Sequence, residues 1–329
     1  MLRFILRRLL LLPPILLLVN FFGYAYAYLV LPLRASRIPY VLHLALPGRG
    51  PLLSDYLDYL WGVLRLDLGE MALGQAGRGL AEDLGRAIPA SLGLLGIALV
   101  VSTVAGLGLG LLAARTDPPR RKLWLPLLST LGMAMPSFYI GVLLLLVVFL
   151  YVLNFPGRGL PLPAQGFGWD LHLLLPTLAL MVRPTVQIAQ ATSGLLVDEL
   201  GQRYVVTARS VGHRWEVIRR RHVLRNVLAP VVLTIAGSLR LLVGELILVE
   251  WLFRWPGMGY LFARTLIPPE ANVAMVSAIR AAAFLNPAVV STILTVLAGL
   301  FLLTDLIASA LVRALDPRLR APVGEVGNV

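Results

Sequence analysis

Four charged side chains lie inside stretches that are otherwise apolar: Arg183, Arg240, Glu245 and Asp305. A charge at the centre of a bilayer costs about 2.5–3.5 kcal/mol and usually faces protein or a water-filled cavity. Arg240 and Glu245 stand five residues apart on one predicted helix, so they are displaced around it and need not pair. Two readings stand for them: they line a hydrated path, or they make hydrogen bonds between helices. Arg183 is followed directly by Pro184 and Thr185. A proline there removes one donor and leaves the carbonyl of Leu180 without its usual partner. A charge beside a break in the ladder points to a hydrated cavity. The competing reading is that Arg183 bonds the carbonyls freed by the kink. Asp305 lies near the end of the last apolar stretch, where a structural role is the better reading.

Other chemistries are missing. With no cysteine, disulfides, thiolate chemistry and Cys-based metal sites are excluded. His43, His172, His213 and His222 show no ligand spacing, and no nucleophile motif is recognisable. A phosphate-binding loop needs a Gly-rich turn followed by Gly-Lys-Ser/Thr. The sole lysine, Lys122, follows Pro-Pro-Arg-Arg and precedes Leu123, so ATP is not bound in that way. Gly106-Leu-Gly108-Leu-Gly110 has the look of a dinucleotide loop, but it lies in an apolar span with no strand before it. Small residues packing against another helix explain it better. No catalytic residue, metal ligand or cofactor is expected.

The elements that must position the four charges are membrane spans. Of the 329 residues, 58% are hydrophobic and only 14% charged, too few for the surface of a soluble domain. The apolar residues come in blocks near the roughly 20 residues needed to cross a bilayer. An all-α fold with six spans is expected, at about 9–31, 91–114, 125–153, 171–193, 228–249 and 284–312. Prolines at 13, 14, 136, 176, 184 and 287 predict kinks. The basic N-terminus, the apolar run and Ala25-Tyr-Ala27 have the form of a signal peptide. The run continues past those alanines to about Pro32, so an uncleaved first span is expected. With the N-terminus inside, 17 of the 29 Lys and Arg fall in short inner segments carrying six acids, and 10 fall in outer segments carrying nine. The positive-inside rule then places both ends in the cytoplasm. It also accounts for the net charge of +12 without nucleic acid, for which no aromatic-interleaved basic patch remains.

Two polar stretches interrupt the spans. Residues 34–88 form an outer segment with amphipathic pieces such as Tyr56–Trp61 and Leu80–Leu84. Residues 194–227 form the long inner loop. It begins helically at Leu195–Leu200, breaks at Gly212, where a left-handed helix cap is expected, and resumes at Trp215–Ile218. A solvated basic loop would satisfy this pattern. So would two short helices lying at an angle on the inner face. Tyr204, Ala208 and Val211, at spacings of four and three, are expected to share one face.

At this loop a family becomes recognisable. Tyr204-Val-Val-Thr-Ala-Arg-Ser-Val-Gly212, with Arg221-His-Val-Leu-Arg-Asn226 and Pro230, resembles the cytoplasmic EAA loop of permease subunits of binding-protein-dependent ATP-binding-cassette importers, in their dipeptide, oligopeptide and nickel branch. Met1 to Leu10, Tyr59–Gly69, Ile88–Leu92, Met135–Phe138, Leu175–Leu180, Glu250–Gly259 and Asp316–Arg318 resemble further motifs of that branch, in order, over nearly the whole chain.

The resemblance implies a type I importer permease. A first transmembrane helix occupies 1–33, an extracytoplasmic segment 34–88, a permease core 89–312 with coupling loop 194–227, and a cytoplasmic tail 313–329. Its implied partners are a homologous second permease, two ATP-binding subunits on the cytoplasmic face and an extracytoplasmic solute-binding protein, in a bacterial or archaeal cell membrane. Tyr204, Thr207, Ala208, Arg209, Val211 and Gly212 would couple to the ATPases, Ala208 permitting close approach and Gly212 supplying the turn. Hydrolysis would belong to those partners, so the chain is not expected to be an enzyme. From their charges within the spans, and not from the resemblance, Arg183, Arg240 and Glu245 are the candidates to line the translocation path, where Arg183 could attract a carboxylate such as a peptide C-terminus. Di- or oligopeptides are the expected cargo, with nickel, opines or oligosaccharides as alternatives. An ion-coupled secondary transporter is the competing class; no clear internal repeat supports it. The sequence departs from the family at Val206, where the motif's first acid would stand, at the remodelled Ile267–Met275, and at Arg183.

Overall fold

A computed structural model describes residues 2–35, 50–65, 79–116, 119–156, 160, 162–267 and 284–315. The segments 268–275 and 316–318 singled out above lie outside them. The regular secondary structure of the described residues is helical apart from one short hairpin, β1 (Ala114–Thr116) with β2 (Pro119–Arg121), paired antiparallel. Six helices are long and apolar enough to cross a membrane.

The first, α1 (Leu2–Ala35), runs unbroken through Ala25-Tyr-Ala27. A short amphipathic helix, α2 (Leu52–Leu64), follows. It lays Tyr56 and Tyr59 against Tyr24, and Tyr59 Oη bonds the Thr292 hydroxyl at 2.8 Å. The second spanning helix, α3, starts at Leu80 and ends at Ala113. Leu80–Leu84 is therefore its first turn, not a separate piece of the outer segment. Leu80 and Leu84 are buried against Met258, Leu261, Val289 and Ile293, which is why the helix continues out past the apolar core of the span.

The expected third span, 125–153, is two helices: α4 (Trp124–Ala134) and α5 (Ser137–Asn154). Met135 and Pro136 between them are extended, at φ −97°, ψ 113° and φ −61°, ψ 149°. Proline lacks the N–H for the ladder and disfavours helical geometry in the residue before it. Here the helix breaks. Pro184 has the same chemistry, yet α6 (Leu174–Leu200) passes through it. More of α6 is buried than of any other spanning helix, and its neighbours α3, α4, α5 and the following spanning helix hold it on several sides.

The α3–α6 contact is close because of two glycines. A Cβ on Gly106 would stand 2.7 Å from Ile188 Cβ and 2.9 Å from the Thr185 carbonyl oxygen. One on Gly110 would meet Thr192 Cβ at 2.6 Å. The glycine run is thus a helix-packing seam, as its place in an apolar span predicts.

Beyond α6 come α7 (Arg203–Ser210), a short turn Trp215–Val217 widening into a π-turn at Ile218–Val223, and α8 (Leu224–Leu252). A small helix α9 (Met258–Leu266) and the last spanning helix α10 (Pro287–Leu315) complete the described bundle. Helix α10 begins at Pro287 rather than 284. The Asn286 side chain accepts from Ala288 N–H at 3.1 Å, and Pro287 occupies the first helical position, where its missing N–H costs nothing.

Candidate functional site

Helix α7 is fixed to the ends of α6 and α8 through Glu199. That carboxylate accepts from Tyr204 Oη and from Asn226 Nδ2, each at 2.8 Å. Burial, then the hydrogen bond and charge of Glu199, push the Tyr204 hydroxyl up to about 12, so it stays a neutral donor at physiological pH. Val205 is buried in a cluster with Leu196, Leu200, Ile218, Val223, Val227 and Val231, and Tyr204, Ala208 and Trp215 pack onto it. At its end α7 closes in a Schellman motif. Gly212 N–H donates to Arg209 O at 3.0 Å and His213 N–H to Ala208 O at 3.1 Å. Gly212 has φ +89°, the left-handed geometry expected at that position.

The shared face expected for Tyr204, Ala208 and Val211 is divided. Tyr204 and Ala208 turn toward the chain's own core. Val211 is the C-cap and lies beyond the covering residues, 73% exposed. The open side carries Arg203, Val206, Thr207, Arg209, Ser210 and Val211, with Val206 66% exposed. The Arg209 guanidinium lies 5.1 Å from the centroid of the Trp215 ring, a contact that braces the two arms of the loop.

The intramembrane charges form two separate clusters. Arg183 on α6 pairs with Glu245 Oε1 on α8 through Nη1, and Ser137 at the start of α5 donates to Glu245 Oε2. Arg183 therefore meets a carboxylate rather than the carbonyls freed at Pro184. The side chains are 24% and 16% exposed. The break at Pro136 helps to build this site, since Ser137 is the first residue of α5 and reaches Glu245 from a third helix. Arg240 is not part of it. Its Nε donates to Asp305 Oδ1 at 2.5 Å and its Nη2 to Ser309 Oγ at 3.1 Å, and Arg8 of α1 binds the same aspartate and serine. This second cluster joins α1, α8 and α10, so Asp305 has the structural role expected of it.

Sequence reading missed Glu250, the last acid of α8. It is fully buried. Ser91 Oγ donates to its Oε1 and Gly259 N–H to its Oε2, each at 2.6 Å. Ser91 accepts from Met258 N–H at 2.8 Å, and Trp255 Nε1 donates to Ala90 O at 3.0 Å. The carboxylate thus caps α9 from another helix, where a negative charge complements the free N–H groups. The available signal was an acid followed within nine residues by two glycines. A Cβ at Gly257 or Gly259 would come within 2.1 Å or 3.0 Å of a Glu250 oxygen.

Among the described residues, six helices long and apolar enough to cross a membrane, with charges paired between them, define a multi-pass membrane protein. Residues 106–321 match the family of binding-protein-dependent transport system inner membrane components. The chain belongs to that family: it is a permease subunit of a binding-protein-dependent ATP-binding-cassette importer. It is similar to the dipeptide transport system permease protein DppB of Bacillus subtilis, 32% identical over 68% of this chain and 70% of that one. It is similar to the oligopeptide transport system permease protein AppB of the same organism, 26% identical over 82% and 81%. The oligopeptide transport system permease protein OppB of Mycobacterium bovis is 29% identical over 82% and 81%. Membership implies ATPase and substrate-binding partners.

Proposed function

We propose that this chain forms half of a translocation pathway for short peptides, beside a homologous second permease. Two ATP-binding subunits dock on its cytoplasmic face, and a binding protein delivers cargo from outside. Both termini are cytoplasmic, residues 34–88 outside and 194–227 inside, in line with the crowding of arginine into the short inner segments. ATP hydrolysis belongs to the partners. Cargo moves by alternating access, and α7 carries the motion of the ATPases into α6 and α8.

The observation that carries this reading is the outer side of α7. Val206 and Val211 are exposed amid Arg203, Thr207 and Ser210, while Val205, Tyr204 and Ala208 anchor the helix to the cluster joining α6 and α8. A helix held rigidly on one side and open on the other is suited to a groove on a partner. The peptide cargo is supported by the relatives, named as dipeptide and oligopeptide permeases. An ion-coupled transporter is disfavoured, because Glu245 and Asp305 are each occupied by arginine and Glu250 is held by Ser91 and the Gly259 N–H.

The test is to purify the transporter with its binding protein and identify the bound ligand by mass spectrometry, then measure uptake into vesicles with and without the ATPase subunits. Peptide in the binding protein and uptake that stops without the ATPases are expected. Uptake that persists without them would overturn the coupling assignment.

A further inference from the structure

We propose that Arg183 and Glu245 form a two-charge recognition site that takes a short peptide with free termini by exchange of ion-pair partners. The peptide carboxylate goes to Arg183 and its ammonium to Glu245. This rests on the reading that the chain carries peptides, and it assigns to a particular pair the discrimination among them.

The pair is closed but incomplete. Arg183 binds Glu245 through Nη1, while its Nε is buried without a partner. A guanidinium carries five N–H donors in a planar fork that matches a carboxylate edge-on. A carboxylate taken side-on would satisfy Nε and an Nη together, which Glu245 does not do in the resting arrangement. Glu245 has a second tether, since Ser137 Oγ donates to Oε2. It therefore keeps its place on α8 when Arg183 turns away, and it presents Oε1 to an ammonium.

The surroundings suit a peptide. Arg183, Gln187 and Gln190 stand at spacings of four and three, so they form one stripe along α6. All three are partly exposed, whereas most of α6 is buried. Below the ion pair, Gln187 Oε1 lies 3.5 Å from Ser238 Oγ on α8. A primary amide carries both donors and acceptors, the complement of a peptide bond. Charges head the stripe and amides continue it, as a chain with charged ends and an amide between them would require.

Exchange also settles the electrostatics. A peptide carrying two terminal charges into a poorly solvated path leaves both unpaired unless each meets a partner, and separating Arg183 from Glu245 alone would strand both of those. If the two events occur together, every charge is paired before and after. A peptide blocked at one end would strand one member of the pair, and one blocked at both ends would leave the pair closed. Two residues span about 7 Å when extended, so a dipeptide can present both termini to neighbouring side chains. Long peptides present them one at a time and gain less.

The test uses the complete transporter in proteoliposomes, with dialanine and its C-terminal amide as probes at concentrations that saturate the binding protein. In the wild-type transporter dialanine should turn over at least about tenfold faster than the amide. With Arg183→Gln and Glu245→Gln combined, turnover of dialanine should fall to that of the amide, while the KM for loaded binding protein stays the same. Equal turnover of the two probes by the wild-type transporter, a measurement that needs no variant to fold, would overturn the proposal. So would wild-type turnover of dialanine by an assembled double variant. A wild-type transporter that carries its own ligand but neither dialanine nor any longer peptide with free termini would instead refute the peptide reading itself, and this proposal with it.

Discussion

Replacing Gly212 isolates the part of the coupling loop that depends on backbone alone. Gly212 sits at φ +89°, and a Cβ built there meets no heavy atom within 4 Å. The cost of a side chain is therefore conformational, not steric against neighbours. The left-handed region costs an L-residue about 1–2 kcal/mol, least for Asn and most for a β-branched residue. Two hydrogen bonds, from Gly212 and His213 N–H, depend on that turn. A penalty of 1–2 kcal/mol lowers the population of the native turn by a factor of about 5–30. The series Gly212→Asn, Gly212→Ala, Gly212→Val should then grade the coupling downward in that order. The substitution lies at the exposed end of α7, away from the buried seams of the spans, so thermal unfolding of the bundle in detergent should move little. The assay is the number of substrate molecules imported per ATP hydrolysed by the reconstituted transporter. A Gly212→Val transporter with the wild-type ratio, and with its ATPases retained, would refute the reasoning.

Three further outcomes follow from the geometry. Gly106→Val should destabilise the bundle by at least the roughly 1–3 kcal/mol of an overpacked core, because its Cβ meets the Thr185 carbonyl oxygen at 2.9 Å. Gly108→Ala, which meets nothing within 4 Å, should be tolerated; detergent melting of both variants checks the contrast. Glu250→Ala leaves Ser91 and the Gly259 N–H without their acceptor. At about 1–3 kcal/mol for each buried unsatisfied group, α9 should loosen, which hydrogen exchange at Gly259 and Tyr260 reads directly. The chain has no cysteine, so single cysteines at exposed Asp58 and Gln202 should label with an impermeant reagent from opposite sides. Labelling of both from one side would overturn the orientation.

The spans were legible because hydropathy and charge act over long windows, and local errors cancel. Helix ends were less so. Leu80–Leu84 reads as amphipathic and polar-flanked on its own, and only its burial beneath Met258 and Leu261 shows it to be the first turn of a span. The two prolines at 136 and 184 illustrate the limit most clearly. Both remove a donor, but α6 runs through Pro184 whereas the chain breaks into α4 and α5 at Pro136. Burial alone does not decide the outcome, since α1 passes through Pro13 and Pro14 while being the least buried of the spanning helices. The intramembrane charges were found one by one, yet their pairing was not. Arg183 with Glu245, and Arg240 with Asp305 and Arg8, are 62, 65 and 297 residues apart in the chain, and nothing in local spacing matches such partners.

The face shared by Tyr204, Ala208 and Val211 was hard to read for the same reason. A spacing of four and three says which side chains share a face, but it does not say what covers that face. Tyr204 and Ala208 are small or amphipathic enough to meet a partner, and equally able to meet the chain itself. The choice is made by Leu196, Leu200, Ile218 and Val223, which come from both sides of the loop and close over Val205. On that inner face Ala208 packs against the chain's own buried cluster, as Tyr204 and Trp215 do. The side of α7 left open carries Val206 and Val211. In the proposed coupling, a push received there reaches Val205 directly, and through it α6 and α8 at once. Transmission needs no bend within α7, only that the buried side remain rigid while the exposed side is moved. A large residue at Ala208 would therefore unseat the helix from its own spans before it obstructed any partner, whereas a charge at Val206 would act on the partner alone.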